Sequence, residues 1–330
     1  MTMKRLVLTV AAVLATAGCE NGGATRTLGV AATGVVRGRV YFDLNGSRTL
    51  DAEDVFFGGA RIRVMSAAGG DTLFRATTSD DGLFLISGVP VGSYSVVIDP
   101  TSGADSAEAV DAAPRSITLL PGDSADYVAS LSYPSRTTAE ARALAPGSTV
   151  FIRAIALHAR TIFSDTTLHV IDTAGTIRVT RLQPSAVAIA AGDSLVLRGR
   201  VGERLGQRVL DGAAVYAVAP TLIPSAPTIT TQQAATGGTA GALDAALVRI
   251  LNAQVVDTST VAGQFQMTMN DGSGAVVVIL DRAADLGFRA PLPPGVYLPT
   301  RRFDVGGILV PTGTGAWRLK PRSSLDLTAR

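Results

Sequence analysis

The chain has 330 residues, 35 of them glycine, with 5% aromatic side chains and a formal net charge of +2. That length supports two or three domains, each with a core of its own. The apolar runs are short and cut by Gly and Pro, which excludes helical bundles and coiled coils and predicts β-structure.

Residues 1–19, MTMKRLVLTVAAVLATAGC, place Lys4 and Arg5 before an apolar run from Leu6 to Ala15, followed by small residues. This is the plan of an export signal, too short for a membrane span. The single cysteine, Cys19, follows Thr16-Ala17-Gly18. The arrangement resembles the lipobox of bacterial lipoproteins, with Thr16 where Leu is usual. The resemblance implies cleavage before Cys19, acylation of its thiol, and an exported protein anchored to the envelope, at the periplasmic face or the surface of the outer membrane. Ala15-Thr16-Ala17 also reads as an ordinary cleavage site, which would leave a free thiol near the start of a secreted chain. Either way one cysteine excludes a disulfide within the chain. Residues 20–33 are rich in Gly, Ala and Thr and read as a flexible tether.

Residues 34–133 carry seven strand-like runs: VVRGRVYF, ARIRVMS, DTLFRATT, GLFLIS, SYSVVID, RSITLL and ADYVASL. In RIRVM, Ile62 and Val64 face a core while Arg61 and Arg63 face water, a period of two. Asp81-Gly82 separates two runs as a hairpin turn. Seven short antiparallel strands predict a β-sandwich. The segments GRVYFDLNGSRTLDAEDVFFGGARIRVM and TTSDDGLFLISGVPVGSYSVVID resemble the B-type repeats of Gram-positive surface adhesins (SdrD B-like, Cna-B-like), related to the carboxypeptidase regulatory-like, prealbumin-type sandwich. The resemblance implies a stalk or spacer module, often stiffened by calcium and without a catalytic role.

The first of these segments contains an oxygen-rich loop. Against a twelve-position calcium template, Asp43, Asn45 and Ser47 fall at positions 1, 3 and 5, the Thr49 carbonyl at 7, Asp51 at 9 and Asp54 at 12. The D-x-N-G start with Asp at the last position also resembles the dockerin version. Two residues depart from the template: Arg48 stands where Gly makes the sharp turn, and Asp54 is one methylene shorter than Glu. A structural Ca2+ of about 0.1–1 mM affinity is the expectation; a metal-free turn of Asp, Asn and Gly is the alternative.

The charge balance changes behind this domain. Residues 20–133 hold 14 Asp and Glu against 8 Arg, a net of −6, whereas residues 134–330 hold 13 against 19 Lys and Arg, a net of +6. An acidic front suits a cation and a basic rear suits an anionic partner, and solvated surface charge gives the same sums. In residues 134–220, TTAEARALA predicts a short helix capped by Thr137 or Thr138. Five strand patterns follow, with a Gly-rich hairpin between them. Residues 221–243 are rich in Pro, Thr, Gly and Ala and read as a linker with one short helix. Residues 244–330 repeat the first pattern: AALVRILNAQVV answers STVFIRAIALHA, and FQMTMNDGSGAVVVIL answers LHVIDTAGTIRVTRL. Both units resemble five-stranded OB-fold barrels. The whole is therefore expected to be all-β, a seven-stranded antiparallel sandwich followed by two OB-like barrels.

OB barrels bind single strands on aromatic platforms in a basic groove. The candidates are Phe151, Phe163 and Tyr216 in the first unit and Phe265, Phe288, Tyr297, Phe303 and Trp317 in the second. Their apolar alternation assigns most of them to core. Arg318, Lys320 and Arg322 form the best basic cluster and read equally as a solvated edge strand. Binding of nucleic acid or glycan through the barrels, or a role as accessory of a secreted nuclease, is the alternative function, not the expected one. Chemistry has little foothold: His158 and His169 are the only histidines, read as strand-surface residues, with no HExxH spacing and no nucleophile beside a base. GRVGERLG and NDGSG read as hairpin turns. The expectation is a non-enzymatic spacer, adhesin-like or scaffold module with a protein or polysaccharide partner at the envelope.

Overall fold

A computed structural model describes residues 32–67, 70–99, 108–110, 114–184, 187–281, 283–284 and 297–330. The export signal, Cys19, most of the tether and Phe288 lie outside the described residues. The protein is all-β, a sandwich followed by two barrels.

In the sandwich, β1 (Thr33–Asp43) is the spine of one sheet. The two-residue β2 (Val55–Phe56) and β5 (Leu83–Pro90) pair with it antiparallel, β9 (Ser124–Ser132) pairs with it parallel, and β7 (Glu108–Ala109) extends the sheet beyond β9. The second sheet runs in the order β4 (Thr72–Thr77), β3 (Arg61–Ser66), β6 (Gly92–Ile98), β8 (Arg115–Leu119). Ile62 and Val64 face the core as their period of two requires, opposite Val36, Phe84 and Tyr127. All seven expected runs are strands. The departures are the extra short strands β2 and β7, and the parallel pairing of β1 with β9, in register from Val35 with Ser124 to Asp43 with Ser132. A parallel neighbour needs a long crossover, and the rest of the domain supplies it. Gly38 makes that approach possible, since a Cβ there would lie 1.7 Å from the Tyr127 carbonyl oxygen.

The first barrel is closed, in the order β10 (Thr149–Ala156), β11 (Leu168–Asp172), β12 (Gly175–Thr180), β14 (Gln207–Pro220), β13 (Asp193–Arg204), with β12 and β14 parallel. The second repeats it with β15 (Leu247–Val261), β16 (Gln264–Asn270), β17 (Ala275–Leu280), β19 (Trp317–Lys320) and β18 (Arg302–Pro311). The β15–β18 pairing closes the path, β17 and β19 are parallel, and β20 (Leu327–Ala329) adds to β18.

The repeat reaches into the segment read as a linker. Helix α1 (Thr138–Ala143) has Thr137 as N-cap in a capping box with Glu140, and α2 (Thr231–Thr236) has Thr230 in a capping box with Gln233. The next threonine in each donates its hydroxyl at 2.7 Å to an aspartate in a hairpin turn, Thr138 to Asp172 and Thr231 to Asp271. Just before each helix the chain forms a parallel bridge to the first barrel strand, Ser135 with Phe151 and Thr228 with Arg249. The sequences PSRTT and PTITT mark this shared entry.

Candidate functional site

The oxygen-rich loop joins β1 to β2. Its first carboxylate, Asp43, is wholly buried at the end of β1 and accepts the N–H groups of Gly46 at 2.7 Å, Ser47 at 3.2 Å and Arg48 at 2.9 Å. Asp51 accepts the Asn45 amide at 2.9 Å and the Ser47 hydroxyl at 3.0 Å. Asp54 accepts Leu44 N–H at 3.1 Å and Asp51 N–H at 3.0 Å, and the Ser47 hydroxyl donates to the Thr49 carbonyl at 2.9 Å. All six sequence-predicted residues thus belong to one hydrogen-bonded turn system. Arg48 takes φ 63°, the left-handed conformation for which the template reserves glycine.

Whether these residues fit a cation turns on their charge. Burial is the main cause that pushes the Asp54 carboxyl above its ordinary value, and repulsion from Asp51 and Asp43 adds to it. A divalent ion bound by oxygens relieves such repulsion. Each Asp54 oxygen accepts one N–H and keeps a second lone pair, whereas Asp43 Oδ1 and Asp51 Oδ2 each already accept two donors. The donors are thus of the oxygen type that calcium takes, and a bound ion would have to displace hydrogen bonds on Asp43 and Asp51. In the form described the carboxylates close on backbone N–H and hydroxyl groups, and among the described residues no three His, Cys, Asp or Glu side chains are grouped as metal ligands.

The loop sits against the first barrel. The Arg198 guanidinium donates to the Leu44 carbonyl at 2.9 Å and lies over the rings of Tyr216 and Tyr133, 4.9 and 5.9 Å from their centroids. Phe42, Tyr133, Phe151 and Tyr216 form a chain of ring contacts from sandwich to barrel, with centroids 5.0, 6.5 and 5.9 Å apart. Arg136 N–H donates to Phe151 and Phe151 N–H donates to Pro134, so the connection is hydrogen-bonded to β10. The loop, this connection, β7 and the barrel strands β10 and β13 line an open cleft of about 610 Å³.

A second junction joins the barrels. Phe163 and Leu157 of the first pack with Leu247 and Ile308 of the second in a cluster of their own. Lys320, with 7% of its side chain exposed, pairs with fully buried Asp281 at 2.8 Å and with Asp165 at 3.2 Å, and lies 4.3 Å from the Phe163 ring centroid. Arg178 and Asp244, both buried, pair at 3.3 Å across the same seam. His158 Nε2 and His169 Nδ1 are 2.8 Å apart and both rings are 1% exposed. Burial brings His158 down to about 4 and His169 well below its ordinary value.

Two sequence expectations are corrected and one is extended. The histidines are not strand-surface residues, because the seam covers them. The Arg318, Lys320, Arg322 cluster is not a solvated edge, because β19 lies between β17 and β18, Lys320 is buried, and Arg322 is held by Asp326 and the Leu157 carbonyl. The segment 221–243 contains the one short helix expected of it, α2, and what the linker reading lacked is its role as the counterpart of α1, which the PSRTT and PTITT segments signal. Phe151, Phe163, Phe303 and Trp317 are buried, and Tyr216, Phe265 and Tyr297 are half-buried. No helix of the described residues is long and apolar enough to cross a membrane.

No family model matches the chain, and no curated protein matches it. Among solved structures, the pilus 2b backbone protein of group B streptococcus is 15% identical with a TM-score of 0.23, over 30% of this chain and 41% of that one. The shaft pilin SpaA of Lactobacillus rhamnosus GG is 10% identical with a TM-score of 0.25, over 58% of this chain and 100% of that one. A murine DNA-binding protein bound to double-stranded DNA is 9% identical with a TM-score of 0.30, over 52% of this chain and 90% of that one.

Proposed function

We propose that the protein is a non-catalytic spacer and scaffold of the bacterial envelope, anchored through acylated Cys19, with an adhesin-type sandwich carrying a calcium loop and two OB-type barrels behind it. The observation that carries this reading is the pair of junctions. Beads on flexible linkers leave charged groups between domains in water, whereas Lys320, Asp281, Arg178 and Asp244 are buried between the barrels. The Arg198 stack does the same work between sandwich and barrel. Joints of this kind transmit position and force, as a stalk requires. The shared strand order of the two barrels, each with one parallel pair, supports the OB reading.

The test is a distance measurement across both joints. Spin labels at exposed Ser116 and Thr314, in a Cys19→Ser background, should give one narrow distance distribution in double electron–electron resonance. A broad distribution means independently moving modules and sinks the spacer reading. Mass spectrometry of the native mature protein tests the anchor: acyl chains on Cys19 are expected, and an unmodified thiol counts against it.

A further inference from the structure

The cleft between sandwich and first barrel is lined by Arg48, from the oxygen-rich loop, and by Arg153, from β10. Both side chains are exposed, and neither guanidinium makes a hydrogen bond or ion pair with any described residue. The acidic groups nearby are already engaged: Asp43 by three backbone N–H groups, Glu108 by Arg136 at 2.9 Å. Two uncommitted cations therefore belong to the lining of one space. Half-buried Tyr133 adds aromatic surface to the lining, and exposed Ser135 adds a hydroxyl. Arg48 occupies this wall from a left-handed backbone that glycine would adopt without strain. A strained residue held at a cleft is a pointer to function.

We infer that this cleft binds a saccharide-sized acid, a sugar ring carrying a carboxylate or a phosphate. A volume of about 610 Å³ lies within the range of small-ligand clefts, which favour domain junctions. A guanidinium matches the two oxygens of a carboxylate or phosphate with a planar fork of donors. Half-buried Tyr133 offers aromatic surface to the apolar face of the ring, and the Ser135 hydroxyl meets its polar edge. The inference stands apart from calcium, since neither arginine is a metal ligand.

Titration calorimetry on the full-length chain in chelating buffer, with glucuronate, glucose 6-phosphate and glucose as probes, tests this. At least one acid should bind, and glucose should bind about ten-fold more weakly or not at all. Whichever acid binds more tightly identifies the oxyanion. The Arg48→Gly variant, which relieves backbone strain, and Arg153→Gln, at an exposed position, should each weaken acid binding about ten-fold, as loss of a charge-assisted contact does. Equal binding of glucose and the acids, no heat from either acid, or unchanged affinity in the Arg48→Gly/Arg153→Gln double variant overturns the proposal. The melting curve of the double variant establishes that it is folded when titrated.

Discussion

Replacing Lys320 with Met removes the ammonium that faces Asp281 and leaves a similar volume of side chain. Asp281 has no exposed side-chain surface and would keep three donors: Ser164 N–H and hydroxyl, each at 3.1 Å, and Ala283 N–H at 3.0 Å. Burial alone would raise the Asp281 pKa, but Lys320 and these donors together hold it below the ordinary value. Without Lys320 the carboxylate must stay charged and uncompensated or take up a proton. Breaking a buried pair from one side costs about 3–5 kcal/mol, and the three remaining donors place Lys320→Met near the lower end. Asp281→Asn should cost less, because Lys320 keeps Asp165 at the wetter rim of the seam. The Lys320→Met/Asp281→Asn double variant should recover about 1.5 kcal/mol or more relative to the sum of the single changes. Trp317, the only tryptophan, lies three residues away on β19 and reports unfolding of this region in a urea titration followed by fluorescence. A loss for Lys320→Met below about 1 kcal/mol, the worth of a solvent-exposed pair, would refute the locked seam.

Other consequences follow from the same contacts. Both histidines have folded pKa values below the unfolded value of about 6.5, so below that pH the unfolded chain binds protons the folded one refuses. Stability should be full above about pH 6.5 and decline by about 3 kcal/mol for His158 alone as pH falls toward 4, and His158→Gln should flatten this stage in denaturation curves. A second decline should follow at lower pH, because Arg330 holds Asp304 and Arg181 holds Asp211 at about 2, and that stabilisation is lost as pH falls through those values. At about 1 mM calcium and a Kd of about 0.1 mM, the front domain should gain about 1.4 kcal/mol. A thermal shift with calcium that survives Asp43→Ala plus Asp51→Ala would assign that gain elsewhere. Arg48→Gly should stabilise the calcium-free chain by about 0.5–1 kcal/mol, relief of a left-handed arginine less the added freedom of glycine; a lower unfolding midpoint would contradict the strain.

The parts legible in the sequence are those written in local period. Ile62 and Val64 announce their strand by alternation, and the Asp43-to-Asp54 spacing announces a turn crowded with oxygens because each ligand position is set along one short segment. The recurrence of strand and turn patterns gave both barrels. What the sequence hid was long-range. Nothing near Ser124–Ser132 says that its partner is β1 or that the pairing is parallel, since the hydrogen-bonding edge carries no side-chain signature. Lys320 shows the limit most clearly. Alternation with Trp317 and Leu319 sends it to water, and within a lone barrel it would go there. It is buried because a second barrel covers that face, and Phe163, Asp165 and Asp281 meet it there from distant parts of the chain.

The same limit explains why the junction cleft escaped the sequence. Arg48 and Arg153 stand 105 positions apart in different domains, and each in isolation is an ordinary exposed arginine. Arg48 even read as a defect, the wrong residue in a calcium turn. In the structure Arg48 adopts the left-handed conformation that the template asks of glycine. The turn still forms, with Asp43 gathering the three N–H groups that a glycine-bearing loop would offer, and the left-handed backbone sets the arginine on the cleft wall. A local rule broken without loss of the local structure points to a demand made from elsewhere in the fold. Under the proposed acid binding, that demand arises where the sandwich meets the barrel, so removing the strain at position 48 should make the loop more stable and the cleft less able to hold an acid.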